Sequence, residues 1–382
     1  MQKLLLKNAK LADGNAKNIL IESGRIFGFD DNESWNEDEN LDLTDYTIFP
    51  GFIDAHIHGA VGVDVNAANA DDLYKMAKFL AEKGTTAWLP TFVPDADEVY
   101  RKVVSEIEKI IEIQENEPIA QIVGVHYEGV FANEKMCGAL RPQFFKTFSG
   151  TEVGALPRLK NGVHLTTFAP EIEGGIELVR ELKKQNWIPS IGHTKADLET
   201  LEKAFEAGAN HLTHFFNAMT GLHHREVGVV GWALGKEKVT FDIIADGVHV
   251  APQILKFAVE SKTPEKVSLI SDAVLPTGLG DGTFEIWGEK VSVVEGQTRN
   301  ERGSIAGSVI TILDAVRRML ELGFSESEAA QMASANPARL LGLEKTHGSL
   351  GTGKRADLVA LDKDGNVRLT IIGGNIAYKN LV

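Results

Sequence analysis

His56 and His58 stand two positions apart in the stretch Pro50-Gly-Phe-Ile-Asp-Ala-His-Ile-His-Gly59. Alternate side chains of an extended strand share a face, so the two imidazoles point the same way. The apolar residues ahead of them (Tyr46, Ile48, Phe49, Phe52, Ile53) predict a buried strand, and two imidazoles at its end can share one metal ion. Gly59 and Gly62 let the backbone turn away without crowding that site. A plain strand with alternating histidines would look the same in isolation. What distinguishes this one is a supply of partners: Glu128, His193, His214 and Asp272 each end an apolar run as well. Imidazole nitrogen with carboxylate oxygen is the donor set of Zn²⁺ or Fe²⁺. Cys137 is the sole cysteine, which rules out a thiolate cluster and an intrachain disulfide.

From residue 47 the pattern alternates strand with helix. Strands are expected at 47–54, 86–90, 120–127, 163–168, 187–192, 210–214, 240–245 and 267–271, and helices at 71–83, 97–115, 174–185, 196–207 and 252–261. Eight such units predict an α/β fold, a (β/α)8 TIM-like barrel. A doubly wound sheet is the alternative, but no Gly-rich nucleotide loop follows the first strand. Barrels of this kind carry their active sites at the C-terminal strand ends. His56 and His58 then end the first strand, Glu128 the third, His193 the fifth, His214 the sixth and Asp272 the eighth. His249, just after strand seven, belongs at the mouth. His223 and His224, beside Arg225, are expected in a loop that could flank a ligand. His126 is expected to be a hydrogen-bonded core histidine, His211 to pack deeper in the barrel, and His164 and His347 to be structural.

Both chain ends read as short strands. Residues 1–46 and 350–382 are expected to form one small β-sandwich domain, separate from the barrel at 47–349, with a polar, acidic spacer from Asp30 to Asp42. A hairpin near 283–306 interrupts the rhythm before a last helix at 308–322, and Asn336-Pro337 reads as a helix N-cap followed by proline. The chain has 382 residues, 43% of them hydrophobic and 24% charged, as in globular proteins. Its net charge of -15 argues against nucleic acid or an anionic membrane surface as partner. The N-terminus lacks an apolar stretch of signal-peptide length, no run approaches membrane-spanning length, and the expected compartment is the cytoplasm.

The opening Pro-Gly-Phe-Ile-Asp-Ala-His-Ile-His-Gly and the later Gly353-Lys-Arg-Ala-Asp-Leu-Val resemble the amidohydrolase superfamily. Within it, His126-Tyr-Glu-Gly, Gly192-His-Thr, Thr213-His-Phe-Phe-Asn-Ala-Met, Ala245-Asp-Gly-Val-His, Ser271-Asp-Ala and Ile305-Ala-Gly-Ser resemble the N-acetylglucosamine-6-phosphate deacetylase branch. The resemblance runs nearly the whole length, and the motifs are specific as a set. It implies metal-dependent release of acetate from a phosphorylated N-acetyl amino sugar, by a homodimer. Glu128, His193 and His214 would hold the main ion. His56 and His58, retained here, would hold a second with Glu128 bridging, so one or two Zn or Fe ions are implied per subunit. Asp272 would be the acid/base, His249 a contact to the acyl carbonyl and Arg225 a phosphate contact. Asn217, Ala218 and the backbone of Ile305 and Ala306 would hold the sugar phosphate, with Ala139 on the same wall.

Two departures stand out. Val130 replaces the usual proline after the Glu-Gly step, and the turn Cys137-Gly138-Ala139 leads into Leu140 where the branch carries a polar residue, often histidine. The lost hydrogen bond makes the galactosamine epimer, or another N-acyl amino sugar, an alternative substrate; Arg141 beside it could compensate. A dihydroorotase or hydantoinase type would need a carboxylated lysine at the end of strand four. Val163 to Phe168 contains none. A non-catalytic scaffold would be expected to have lost ligands that this chain keeps.

Overall fold

Eight parallel strands form the barrel. They are β1 (Phe52–Ile57), β2 (Thr85–Phe92), β3 (Gly124–Phe131), β4 (Val163–Phe168), β5 (Ile188–Ile191), β6 (His211–Leu212), β7 (Thr240–Ile244) and β8 (Val267–Ile270). Each pairs in parallel with its successor. The computed structural model describes residues 3–30 and 39–381, so most of the acidic spacer expected from Asp30 to Asp42 lies outside the described residues. Parallel strands are covered on both faces, by helices outside and packed side chains inside, and every residue of β1, β2 and β3 is buried.

The helices follow from their apolar stripes and caps. In the helix Ala70–Glu82, Leu73, Met76, Ala77 and Leu80 are buried at helical spacing, and an Asn69–Asp72 capping box closes its first turn. Asp197 caps Leu198–Ala207, which ends at Gly208 with φ +113°. Besides the single turn Glu152–Ala155, two longer helical segments among the described residues fall outside the expected pattern. Gly228–Gly235 buries Val229, Val230, Trp232 and Ala233, so it shows no one-sided stripe to read. The second runs from Glu326 to Leu340, and there Asn336 is not an N-cap: it is itself helical, at φ −69° and ψ −50°. A π-turn over Gln331–Ala335 widens the helix ahead of Pro337, which accommodates the proline's missing N–H. Asn336 Nδ2 donates instead to the carbonyls of Pro264 (2.7 Å) and Val267 (2.6 Å), tying this helix to the start of β8.

The barrel closes between β8 and β1 through one bridge, Ile57 to Ala273. Asp272 N–H donates to the His56 carbonyl (2.9 Å) and His58 N–H to the Ala273 carbonyl (2.8 Å). Below them the buried Asp54 carboxylate accepts from Ser271 Oγ at 2.6 Å. The closing seam is thus made from residues flanking the expected metal ligands.

The strands of both termini join one mixed sheet of eight strands. Lys3–Leu11 pairs antiparallel with Ala16–Glu22 and parallel with both Glu39–Asp42 and Thr47–Pro50; Leu358–Leu361 pairs with Thr47–Pro50 and leads to the last two strands. The segment expected as one strand at 47–54 is therefore two, in different sheets, parted at Gly51. A Cβ on Gly51 would stand 2.2 Å from Thr86 Oγ1, so the crossing admits no side chain there. Beyond β8, Gly282–Ile286, Glu289–Val294 and Gln297–Asn300 form a three-stranded antiparallel insertion where a hairpin was expected. No helix among the described residues is long and apolar enough to cross a membrane.

Candidate metal-binding active site

Each strand end delivers its polar residue by a departure from regular strand geometry. The β3–β4 register shifts between Tyr127 and Phe131, which releases Glu128 from the ladder. Gly129, next to it, has φ +69°, and a Cβ there would meet Leu140 Cδ1 at 2.2 Å. His193, His214 and Asp272 follow the ends of β5, β6 and β8 with φ of +46°, +34° and +49°. L-residues rarely adopt that left-handed backbone, and such outliers concentrate at functional sites.

Two groups of ligand atoms result. The Nε2 atoms of His193 and His214 are 3.0 Å apart and lie 3.1 and 2.9 Å from Glu128 Oε1. The Nε2 atoms of His56 and His58 are also 3.0 Å apart, 3.4 and 3.3 Å from Asp272 Oδ1. Glu128 stands between the groups, with Oε2 3.1 Å from His58 Nε2 and Oε1 3.6 Å from His56 Nε2. Within each group the ligand atoms all lie within 4.8 Å of one another, and all six residues are buried.

These contacts fit a bound cation. His193 Nδ1 is 2.7 Å from the Met136 carbonyl and His58 Nδ1 3.1 Å from the Thr91 carbonyl. A carbonyl only accepts, so Nδ1 carries the hydrogen and a neutral ring presents its Nε2 lone pair. Those lone pairs face one another and carboxylate oxygens, an arrangement that repels unless positive charge lies between them. Without a metal ion that charge must be protons. Burial opposes charge on His58, yet hydrogen bonds to Asp272 and Glu128 outweigh it and carry the imidazole up to about 10. Burial likewise raises Glu128 and Asp272, but the surrounding histidines, His56 foremost, hold both below the usual carboxylate range. Nitrogen and carboxylate donors without a thiolate suit Zn²⁺ or Fe²⁺.

A cavity of about 300 Å³ opens over the groups, lined by Ala139, Leu140, Asn217, Ala218, His249, Asp272, Trp287 and Ile305 among others. His249 is oriented by Asp246, whose Oδ2 lies 2.6 Å from Nδ1 and leaves Nε2 for a ligand. Burial opposes its positive charge, but Asp246 more than compensates and raises the imidazole above its ordinary range. Asn217 lines the cavity, its Nδ2 donating to the His214 carbonyl at 3.2 Å. Ala306 lies behind the wall and its N–H donates to Thr298 Oγ1, so of the pair only Ile305 reaches the cavity. Arg225 is exposed on the loop after Thr220, its Nη1 2.7 Å from His224 Nε2, and it does not line the cavity.

Arg141 does not replace the polar group missing at Leu140. It pairs with Asp95 at 2.6 Å and donates to the Pro94 carbonyl at 2.9 Å, while Leu140 is buried. His126 is buried at 2.7 Å from Thr167 Oγ1, a core histidine, and His211 lies 3.2 Å from Asp242 beneath the site. Sequence reasoning assigned no role to Asp246 or Trp287. Asp246 could have been suspected from its spacing to His249; nothing in the spacing marks Trp287. A larger hollow of about 630 Å³ beside the terminal sheet holds Arg355, already tied to Glu115 at 2.8 Å and Asp357 at 3.1 Å, and none of the six ligands.

Residues 47–377 match the model of the amidohydrolase family. The N-acetylgalactosamine-6-phosphate deacetylase of Escherichia coli O157:H7 is 38% identical over 86% of this chain and 87% of that protein. The N-acetylglucosamine-6-phosphate deacetylase of Bacillus subtilis strain 168 is 37% identical, over 87% and 85%. Among solved structures, N-acetylglucosamine-6-phosphate deacetylase from Thermotoga maritima superposes with a TM-score of 0.86 at 32% identity over 99% of both chains. A Mycobacterium smegmatis N-acetyl-D-glucosamine-6-phosphate deacetylase mutant, in complex with N-acetyl-D-glucosamine-6-phosphate, gives 0.88 at 29%, again over 99% of both.

The charge balance makes a prediction with a sign. The raised imidazole of His58 stabilises metal-free protein below its unfolded pKa of about 6.5, and that contribution is lost as pH rises through about 10. Metal binding needs the same rings deprotonated, so it strengthens with pH. The rise in Tm on adding Zn²⁺ to chelator-stripped protein is therefore expected to be larger at pH 8.5 than at pH 6.5, read by calorimetry. An equal or smaller rise at the higher pH would contradict ligation by these imidazoles.

Proposed function

This chain belongs to the amidohydrolase family, and on that premise we propose that it hydrolyses the acetamide of N-acetylglucosamine 6-phosphate to glucosamine 6-phosphate and acetate. The observation that carries the reading is the double group of buried donors with Glu128 common to both. Glu128, His193 and His214 would hold the main ion, Zn²⁺ or Fe²⁺, and His56 and His58 with Asp272 would hold a second. Bound there, an ion lowers the pKa of water from about 15.7 to about 7 and polarises a carbonyl.

The chain's own residues do the rest. Asp272 has both histidine contacts on Oδ1, which leaves Oδ2 to take the proton from the attacking water. As the water oxygen bonds to the acyl carbon and the C–N bond breaks, Asp272 returns that proton to the amine nitrogen. His249, whose charged form Asp246 favours, donates from Nε2 to the acyl oxygen as negative charge grows on it. Asn217 and Ala218 line the cavity where the sugar would lie, and Arg225, exposed on its loop outside that cavity, would contact a phosphate projecting from the mouth.

The galactosamine epimer is a second reading with its own observation. Leu140 puts carbon on the sugar wall, and the Escherichia coli relative named for that epimer is as similar as the Bacillus one.

Acetate release is to be measured on both epimers, and wild-type protein inactive on each would end both readings. Asp272→Asn is expected to lower kcat by about 10²- to 10⁴-fold; near-normal turnover would remove Asp272 as the base. Asp246→Asn withdraws the carboxylate that raises His249, so the alkaline limb of kcat/KM is expected to move to lower pH. A limb that stays in place would dissociate His249 from the reaction. Arg225→Ala is expected to raise KM for phosphorylated sugars by about tenfold or more, the scale of a lost charge-assisted contact, and leave unphosphorylated analogues unaffected. Equal effects on both substrate classes would remove the phosphate role.

A further inference from the structure

The insertion after β8 carries a tryptophan where its turn favours glycine or asparagine. Ile286 pairs with Glu289, which leaves Trp287-Gly288 as a two-residue loop. Both have positive φ, +53° and +80°, the backbone that Asn-Gly or Gly-Gly ordinarily supplies in a tight hairpin. A bulky side chain is disfavoured there, and its presence against that preference points to use of the ring.

The ring turns inward. Its centroid lies 5.4 Å from that of His58 with the planes 80° apart, and it lines the cavity over the metal-binding groups. Its Nε1 is buried and has no hydrogen-bond partner among the described residues. The surface it gives the cavity is therefore carbon. Ala139, Leu140 and Ile305 continue the apolar lining toward the side where the sugar would lie. Arg302, from the same insertion, donates to the Ala139 carbonyl at 3.1 Å and pairs with Glu289 at 3.1 Å, tying the insertion to the loop that carries Leu140.

An acetamide carbon has three substituents in one plane. The reaction proposed above gives the oxygen to His249 and sends the nitrogen, with its sugar, toward Asn217 and Ala218. The methyl takes the third direction, for which the cavity offers the carbon-faced corner beside His58. We propose that Trp287 sets the acyl-chain length of the substrate: its indole closes the acyl corner at the size of a methyl group and excludes longer chains. The inference rests on that reaction.

The test is the ratio of kcat/KM for N-butanoyl- to N-acetylglucosamine 6-phosphate, measured on one preparation so that the active, metal-loaded fraction cancels. Trp287→Asn removes the ring and leaves a residue the turn accepts; Trp287→Phe keeps a smaller ring. One methylene in an apolar pocket is worth about 10- to 200-fold in discrimination. The Asn variant is expected to raise the ratio by about tenfold or more, with the Phe variant between it and the wild type. An unchanged ratio in the Asn variant, or a wild type that takes both chains equally, overturns the inference. Should the Asn variant lose all turnover, the Phe variant carries the comparison, and an unchanged ratio there overturns it too. Wild-type protein that releases neither acid is a separate result, which overturns the reaction itself.

Discussion

Six buried donors crowd two small volumes of this protein, and their mutual repulsion is the constraint around which the rest is arranged. Imidazole lone pairs and carboxylate oxygens at about 3 Å from one another are tolerable only with positive charge among them. Carbonyls of Thr91 and Met136 turn two of the rings so that Nε2 is the atom presented. His56 and His214 have no partner for Nδ1 among the described residues. His56 is held instead edge-on to His126, with ring centroids 4.5 Å apart, and His214 by its backbone bond to Asp242.

The barrel is built to hold that arrangement. Its closing seam runs through His56, His58, Asp272 and Ala273, so the bonds that complete the cylinder also set the distance between the two histidines and the carboxylate. Asp54, buried below the seam and pushed up to about 6 by that burial, accepts from Ser271 and the His56 backbone and so links the last residues of β1 to those after β8. The terminal sheet adds to this from outside: Thr47–Pro50 belongs to it, and β1 begins two residues later. Strain appears where the chain leaves β5, β6 and β8, at His193, His214 and Asp272, and the packed scaffold sustains it.

The cavity above is two-sided. Asn217 and His249 offer polar atoms, whereas the corner at Trp287 offers carbon. An N-acyl amino sugar has the same division, a hydroxylated ring on one side of the amide and an alkyl group on the other. The insertion after β8 supplies much of the carbon side, so the chemistry belongs to the barrel and the fit to a piece added upon it.

Much of this was readable in the chain. Alternation of apolar runs with helical stripes, stopped by residues such as Gly208, announces the barrel, and the ligand types at the strand ends announce a cation without thiolate. Local pattern did not show that 47–54 crosses between two sheets, because both pieces are equally apolar and only Gly51's contact with Thr86 divides them. Nor did it show the helix at Gly228–Gly235, buried on several sides, or that Asn336 bonds across to β8 instead of capping its own helix. The sequence by itself determined which side chains could bind a metal ion and which elements would carry them, since both follow from residue type and local periodicity. Only the tertiary structure decided that Arg141 turns to Asp95, that Arg225 stays outside the cavity and that Trp287 enters it. Those outcomes depend on distances between segments far apart in the chain, and no local preference contains them.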